Sequence, residues 1–148
     1  MPEKRTMQRA RRDKRAGKAP STQAGEFVHE EMDHVRRGKH GARSSKQAIA
    51  IGLSKARRAG VKLPPPKKGK ASAKTRKSAR SAYRKGQSGN RKASRGRSRG
   101  VSRALRREGR RAASGSALSR QARNAARRRS ASSRSAAARK AARTRKRK

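Results

Sequence analysis

Forty-nine of the 148 side chains are Lys or Arg and only seven are Asp or Glu, giving a formal net charge of +42. Charge at that density repels itself and disfavours compact states until something neutralises it. The apolar supply is equally thin. Leu, Ile, Val and Phe number 11 in all, far below the roughly 20% under which a highly charged chain reads as disordered. Most of the remaining hydrophobic residues are alanine, which buries little area against the ordering cost of a backbone. The expectation is a mostly disordered chain with one small all-α element.

That element falls in the middle. Residues 1–20 read as a basic disordered arm ended by Pro20. Residues 21–63 hold eight of the 11 large apolar residues and four of the seven acids, and residues 64–148 form a basic low-complexity tail with 32 basic residues and one acid, Glu108. Within 21–63 the pattern predicts a helical hairpin, about 22–37 and 45–59. Ser21 or Thr22 caps the first helix, and Val28, Met32 and Val35 repeat at i, i+4 and i+7, widened by Ala24 and Phe27. Arg36 and Arg37 complement the carbonyl end of its dipole, and Gly38 suits the left-handed residue that follows. In the second helix Ser44 and Gln47 form a capping-box pattern. Ile49, Leu53 and Ala56 make its stripe, Gly60 ends it, and Pro64-Pro65-Pro66 prevent a restart. Residues 39–43 are short enough to join the two as a hairpin, which at about 40 residues is marginal alone and would gain from self-association. Beyond Pro66, stretches near 101–112 and 117–130 are expected to turn helical once phosphates screen their repulsion.

Several chemistries are excluded or weakened. No cysteine is present, hence no disulfide, thiolate zinc site or cysteine nucleophile. No apolar run suffices for membrane insertion, and the basic N-terminus lacks the apolar stretch of a signal peptide, so cytoplasmic residence is the default. His29-Glu30-Glu31-Met32-Asp33-His34 resembles a zinc-protease motif, but its histidines lie five apart and so point about 140° from each other on a helix. His29, His34 and His40 therefore read as surface histidines, with no metal and no cofactor. Glu26, Glu30, Glu31 and Asp33 read as a solvated helix face. No phosphate-binding loop occurs, the serines have no scaffold for nucleophilic catalysis, and no enzyme or small-molecule substrate is expected.

A polyanion is the expected partner. Anionic membrane usually requires large apolar anchors, and the chain has one Phe, one Tyr and no Trp. Single-strand binding relies on aromatic stacking, which only Tyr83 in the tail could supply. Arginine exceeds lysine 22 to 10 from Pro64 onward, suiting bidentate phosphate contacts and narrow minor grooves. The reading is sequence-independent duplex DNA binding by charge neutralisation, placing the protein on the nucleoid. On the second helix the candidate contacts are Lys46, Lys55, Arg57 and Arg58. The first part of the tail adds Lys67, Lys68, Lys70, Lys74, Arg76, Lys77, Arg80, Arg84 and Lys85. Further along come Arg95, Arg97, Arg99, Arg106, Arg107, Arg110 and Arg111. The last group is Arg127, Arg128, Arg129, Arg143, Arg145, Lys146, Arg147 and Lys148. Two alternatives stand beside this: an RNA-binding or ribosome-associated basic protein, and an interaction protein whose hairpin docks a partner.

The block GEFVHEEMDHVRRGKHGARSSKQAIAIGLSKARRAGVKLPPP, residues 25–66, resembles the shared core of an uncharacterised family of small basic bacterial proteins. Members are commonly labelled DNA-binding, so the resemblance implies that role too. It implies no catalytic or cofactor residues and does not cover residues 67–148.

Overall fold

Helix, not disorder, is the state of most of the chain. A computed structural model describes residues 2–89 and 95–146 (the side chains of Arg95 and Arg97 excepted), and among them lie seven α-helices, one 3-10 turn and no strand. They are α1 Lys4–Arg15, α2 Pro20–Arg36, α3 Ser45–Arg58, α4 Ala73–Gln87, α5 Arg95–Arg106, α6 Gly115–Arg127 and α7 Ala131–Lys146, with the 3-10 turn at Arg111–Ala113. The chain divides into two compact units, residues 1–114 and 115–148.

The expectation of a mostly disordered chain carrying an isolated hairpin is thereby corrected. Two helices do occupy the middle segment, but they are the centre of a larger bundle: α1 packs on α2, α2 on α3, and α3 on α4. Three physical reasons account for the difference. Alanine and arginine rank among the best helix formers, so the tail composition favours helix. Small residues let helices approach closely enough that few large apolar side chains are needed. The scarce acids, finally, neutralise cations inside the fold.

The middle helices start and stop for local reasons. α2 begins two or three residues earlier than its hydroxyls suggest, with Ala19 at the N-cap and Pro20 inside the first turn, where proline's missing N–H costs nothing. Gly38 follows it at φ +73°. At α3 the Ser44 hydroxyl accepts from the Gln47 amide at 3.2 Å, and the Gln47 side chain accepts from the Arg43 N–H at 2.7 Å. Gly60, at φ +93°, ends the helix.

Burial then follows small-residue stripes. The apolar centre comprises Ala10 of α1, Ala24 and Phe27 of α2, Ala56 of α3 and Val61, flanked by Met7, Leu53, Ala59 and Leu63. Phe27 is the largest wholly buried side chain, contributing about 1.5–3 kcal/mol by removal from water. On α4 the buried residues are Ala79, Ala82 and Gly86, spaced i, i+3 and i+7. α3 and α4 meet backbone to backbone: a Cβ on Gly86 would collide with the Arg57 carbonyl oxygen. α2 and α3 are similarly tight, a Cβ on Gly52 falling 2.7 Å from Val28 Cα. Beyond α5, residues 105–113 dock on the α2–α3 turn. There Gly41 N–H donates to Leu105 O at 2.8 Å, Ala42 N–H to Gly109 O at 3.0 Å, and the Ser45 hydroxyl to Ala112 O at 2.6 Å.

In the second unit, α6 and α7 contain no buried residue. Their helical state rests on Ala and Arg propensity and on local caps, such as the Ser130 hydroxyl accepting from the Ser133 N–H at 3.3 Å.

These contacts separate two glycines of similar sequence context. Gly86→Ala inserts a methyl against backbone and is expected to cost about 1–3 kcal/mol. Gly25, inside α2 with open space around it, should tolerate alanine and gain about 0.5–1 kcal/mol. Urea unfolding of the two variants followed by circular dichroism checks both signs.

Candidate functional site

Carboxylates are the scarce resource in this chain, and each of the seven stands within 4.0 Å of a lysine or arginine. The pairs are Arg9–Glu26, Lys18–Asp13, Arg36–Asp33, Lys39–Glu3, Arg43–Glu108, and Lys55 with both Glu30 and Glu31. All seven acids belong to the first unit. Residues 115–148 carry thirteen basic residues and no acid.

The acidic stretch on α2 is not the solvated face expected of it. Glu30 and Glu31 are buried, their side chains 2% and 0% exposed. Lys55 of α3 reaches both, its Nζ 2.5 Å from Glu31 Oε2 and 3.6 Å from Glu30 Oε1. Glu30 Oε2 also accepts from the Glu3 backbone N–H at 3.2 Å, tying the start of α1 to α2. Two of the three histidines join this cluster, against the expectation of surface imidazoles. His34 Nε2 lies 2.9 Å from Glu3 Oε1 and His40 Nε2 3.1 Å from Glu31 Oε1, with side chains 13% and 16% exposed. His29 stays outside and pairs with Asp33 at 3.3 Å.

The remaining expected contacts are mostly at the surface. Lys46, Arg58, Lys67, Lys68, Lys70, Lys74, Lys77, Arg80, Arg84 and Lys85 are exposed, as are Arg99, Arg106, Arg107, Arg110 and Arg111. So are Arg127, Arg128, Arg129, Arg143, Arg145 and Lys146 of the second unit. Arg76 is half-buried, with its Nε buried and lacking a hydrogen-bond partner. Two residues on α3 have internal partners instead. Lys55 holds the buried glutamates, and Arg57 is buried, its Nε and Nη2 donating to Leu63 O and Pro64 O at 3.2 Å each. Burial depresses the Arg57 guanidinium from its ordinary value. The Arg95 and Arg97 side chains, with Arg147 and Lys148, lie outside the described residues.

Helix geometry orders these cations. On α4, Arg76, Arg80 and Arg84 repeat every four residues on a face separate from the buried Ala79–Ala82–Gly86 stripe. On α5, Arg99, Arg103 and Arg106 stand at i, i+4 and i+7, and Arg103, exposed too, was not among the expected contacts. Arg120 and Arg123 of α6 and Arg134, Arg139 and Lys140 of α7 were likewise passed over and are exposed. Their signal is i, i+3 or i+4 spacing, legible only once the tail is read as helix. Among the described residues, no helix is long and apolar enough to cross a membrane.

Residues 4–68, a little under half the chain, match a family described as a family of unknown function (DUF6496). The chain is similar to that family from α1 through the proline run, the part that contains the buried ion cluster. No curated protein matches the chain. No solved structure matches it.

The Glu3 contacts give this cluster a pH dependence. Its carboxyl is lowered from 4.5 to about 2, first by the hydrogen bond from Lys39, then by that with His34. A carboxyl whose folded value lies below its unfolded one contributes stability fully present above about pH 4.5, lost as pH falls toward 2. Thermal melts of Glu3→Gln are expected to show a shallower acid decline than wild type between pH 4.5 and 2.

Proposed function

We propose that the protein binds nucleic acid, duplex DNA above all, without regard to sequence, by laying exposed cationic helices along the phosphate backbone. One observation carries this reading. Every carboxylate already has a basic partner inside the first unit, so the many exposed lysines and arginines have no internal counter-charge. Such a surface gains most from a polyanion, whose condensed counterions are released when its phosphates are neutralised.

Geometry supports a duplex. α7 has 16 residues, a length of about 24 Å at 1.5 Å per residue, over which B-DNA presents about 14 phosphates. Its Arg139, Arg143 and Lys146, at i, i+4 and i+7, share one face that can meet several of them. The arginine rows of α4 and α5 add rigid contact faces to the first unit. Arginine-rich helices without aromatic residues suit backbone contacts better than base stacking. Lys55 and Arg57 take no part, since each is occupied internally. A protein of this kind belongs on the nucleoid, coating the duplex.

Salt titration tests the proposal. With about ten phosphates engaged, log Kobs against log salt should fall with a slope near −9. Residues 1–114 alone should bind more weakly and with a shallower slope, having lost thirteen basic residues. Affinity independent of salt would refute the electrostatic mechanism. An unchanged slope in the 1–114 fragment would remove α6 and α7 from the interface, and preference for duplex RNA over duplex DNA in competition would replace the partner.

A further inference from the structure

The buried cluster contains an arrangement that neither charge neutralisation nor packing requires. Glu31 and His34 stand three apart on α2, the i, i+3 spacing by which one helix presents a carboxylate and an imidazole to a common ion. His40 lies beyond the helix, and the turn at Gly38 and Gly41 returns it to the same place. Candidate ligand atoms of Glu31, His34 and His40 all fall within 4.8 Å of one another. The two imidazole rings meet edge to face, their centroids 6.0 Å apart.

The state of these groups is unusual. Glu31 is wholly buried; its Oε2 faces the Lys55 ammonium, while its Oε1 makes no hydrogen bond. His40 Nδ1 lies 3.0 Å from the Gly41 carbonyl oxygen; a carbonyl only accepts, so Nδ1 carries a proton and donates it. In the neutral ring this leaves a lone pair on Nε2, the nitrogen 3.1 Å from Glu31 Oε1. Two electron-rich atoms so placed repel each other unless a proton or a metal ion lies between them. Backbone anchoring of one ring nitrogen is also how metal-binding histidines are commonly oriented. The 3.1 Å separation is close to the edge of a coordination tetrahedron, about 3.3 Å for bonds of about 2.0–2.1 Å.

Local charge permits an ion despite the basic whole. Glu3, Glu30 and Glu31 are opposed by two ammonium groups, Lys39 and Lys55, which leaves one carboxylate in excess when the imidazoles are neutral. Lys55 holds Glu31 by Oε2, leaving Oε1 for the ion. Two nitrogen donors and one oxygen suit zinc and its neighbours in the transition series, not magnesium or calcium.

We infer that Glu31, His34 and His40 form a binding site for one divalent ion of the zinc class. Its effect is structural: it ties α2 to the α2–α3 turn, on which residues 105–113 dock. The site is independent of the nucleic-acid reading. The ion is bound by deprotonated ligands, so uptake is accompanied by proton release.

The test uses the full-length protein, freed of nucleic acid and stripped of metal. Zinc chloride should be taken up at one equivalent in competition with a chromophoric chelator, and cobalt(II) should give the intense visible absorption of a four-coordinate site. His40→Ala and the near-isosteric Glu31→Gln should each weaken uptake at least about tenfold, while His29→Ala leaves it unchanged. No stoichiometric uptake, equal weakening by His29→Ala, or full uptake by the His40 and Glu31 variants would overturn the assignment. Should those variants misfold, the wild-type cobalt spectrum decides: intense four-coordinate bands support the site, and the pale spectrum of six-coordinate cobalt refutes it.

Discussion

The contact between Lys55 and the buried glutamates fixes how the first unit assembles. A wholly buried carboxylate loses several kcal/mol of solvation unless a counter-charge accompanies it. Glu31 therefore admits only an arrangement of α2 and α3 that delivers Lys55. The neighbouring Glu30 extends the constraint to α1 through the Glu3 backbone amide. An ion pair of this kind adds little net stability, but removing one member leaves a stranded charge and costs about 3–5 kcal/mol. Its consequence is specificity: α1, α2, α3 and the turn are locked in one register.

Once the register is set, small residues complete the packing. The interior is mostly alanine, with one Phe, one Met and two Val among the buried hydrophobic residues. Each alanine contributes little area, so the helices must lie close, and Gly52 and Gly86 mark where backbone meets backbone. Composition alone shows the shortage of large apolar side chains but not how closely small residues let helices approach, nor where the few acids lie.

The ends of α2 and α3 were legible because they are local. Ser44 with Gln47, Gly38 and Gly60 act within a few residues of their own positions, and of the stripe through Val28, Met32 and Val35, Met32 and Val35 are buried together with Ala24 and Phe27, while Val28 is only partly so. α1 and α4 were not legible as packed helices. Their inward faces are Thr6, Ala10 and Asp13 in one case and Ala79, Ala82 and Gly86 in the other, and neither reads as a hydrophobic stripe. The histidine cluster was hidden for a different reason. His29 and His34 invite comparison along one helix and diverge, whereas His34 and His40 converge only through a turn that periodicity does not describe. For the exposed cations the case is intermediate. Their number and sign are plain in the sequence, but their rows on α4 and α5, and the internal occupation of Lys55 and Arg57, depend on helix phase.

Acids and bases thus divide the labour by position. The few carboxylates are spent where α1, α2, α3 and the docked 105–113 segment must be held together, and this leaves the outer faces of α4 and α5 without local neutralisation. Residues 115–148 contain no Asp or Glu to pair with their arginines. A more balanced sequence would place acids beside these arginines at helical spacing and satisfy them within the chain. Concentrating the acids in the first unit, with Asp13, Glu30 and Glu31 buried, does the reverse. It stabilises the first unit against its own repulsion, so the same scarcity of carboxylates that strains the fold also leaves an exposed cationic surface.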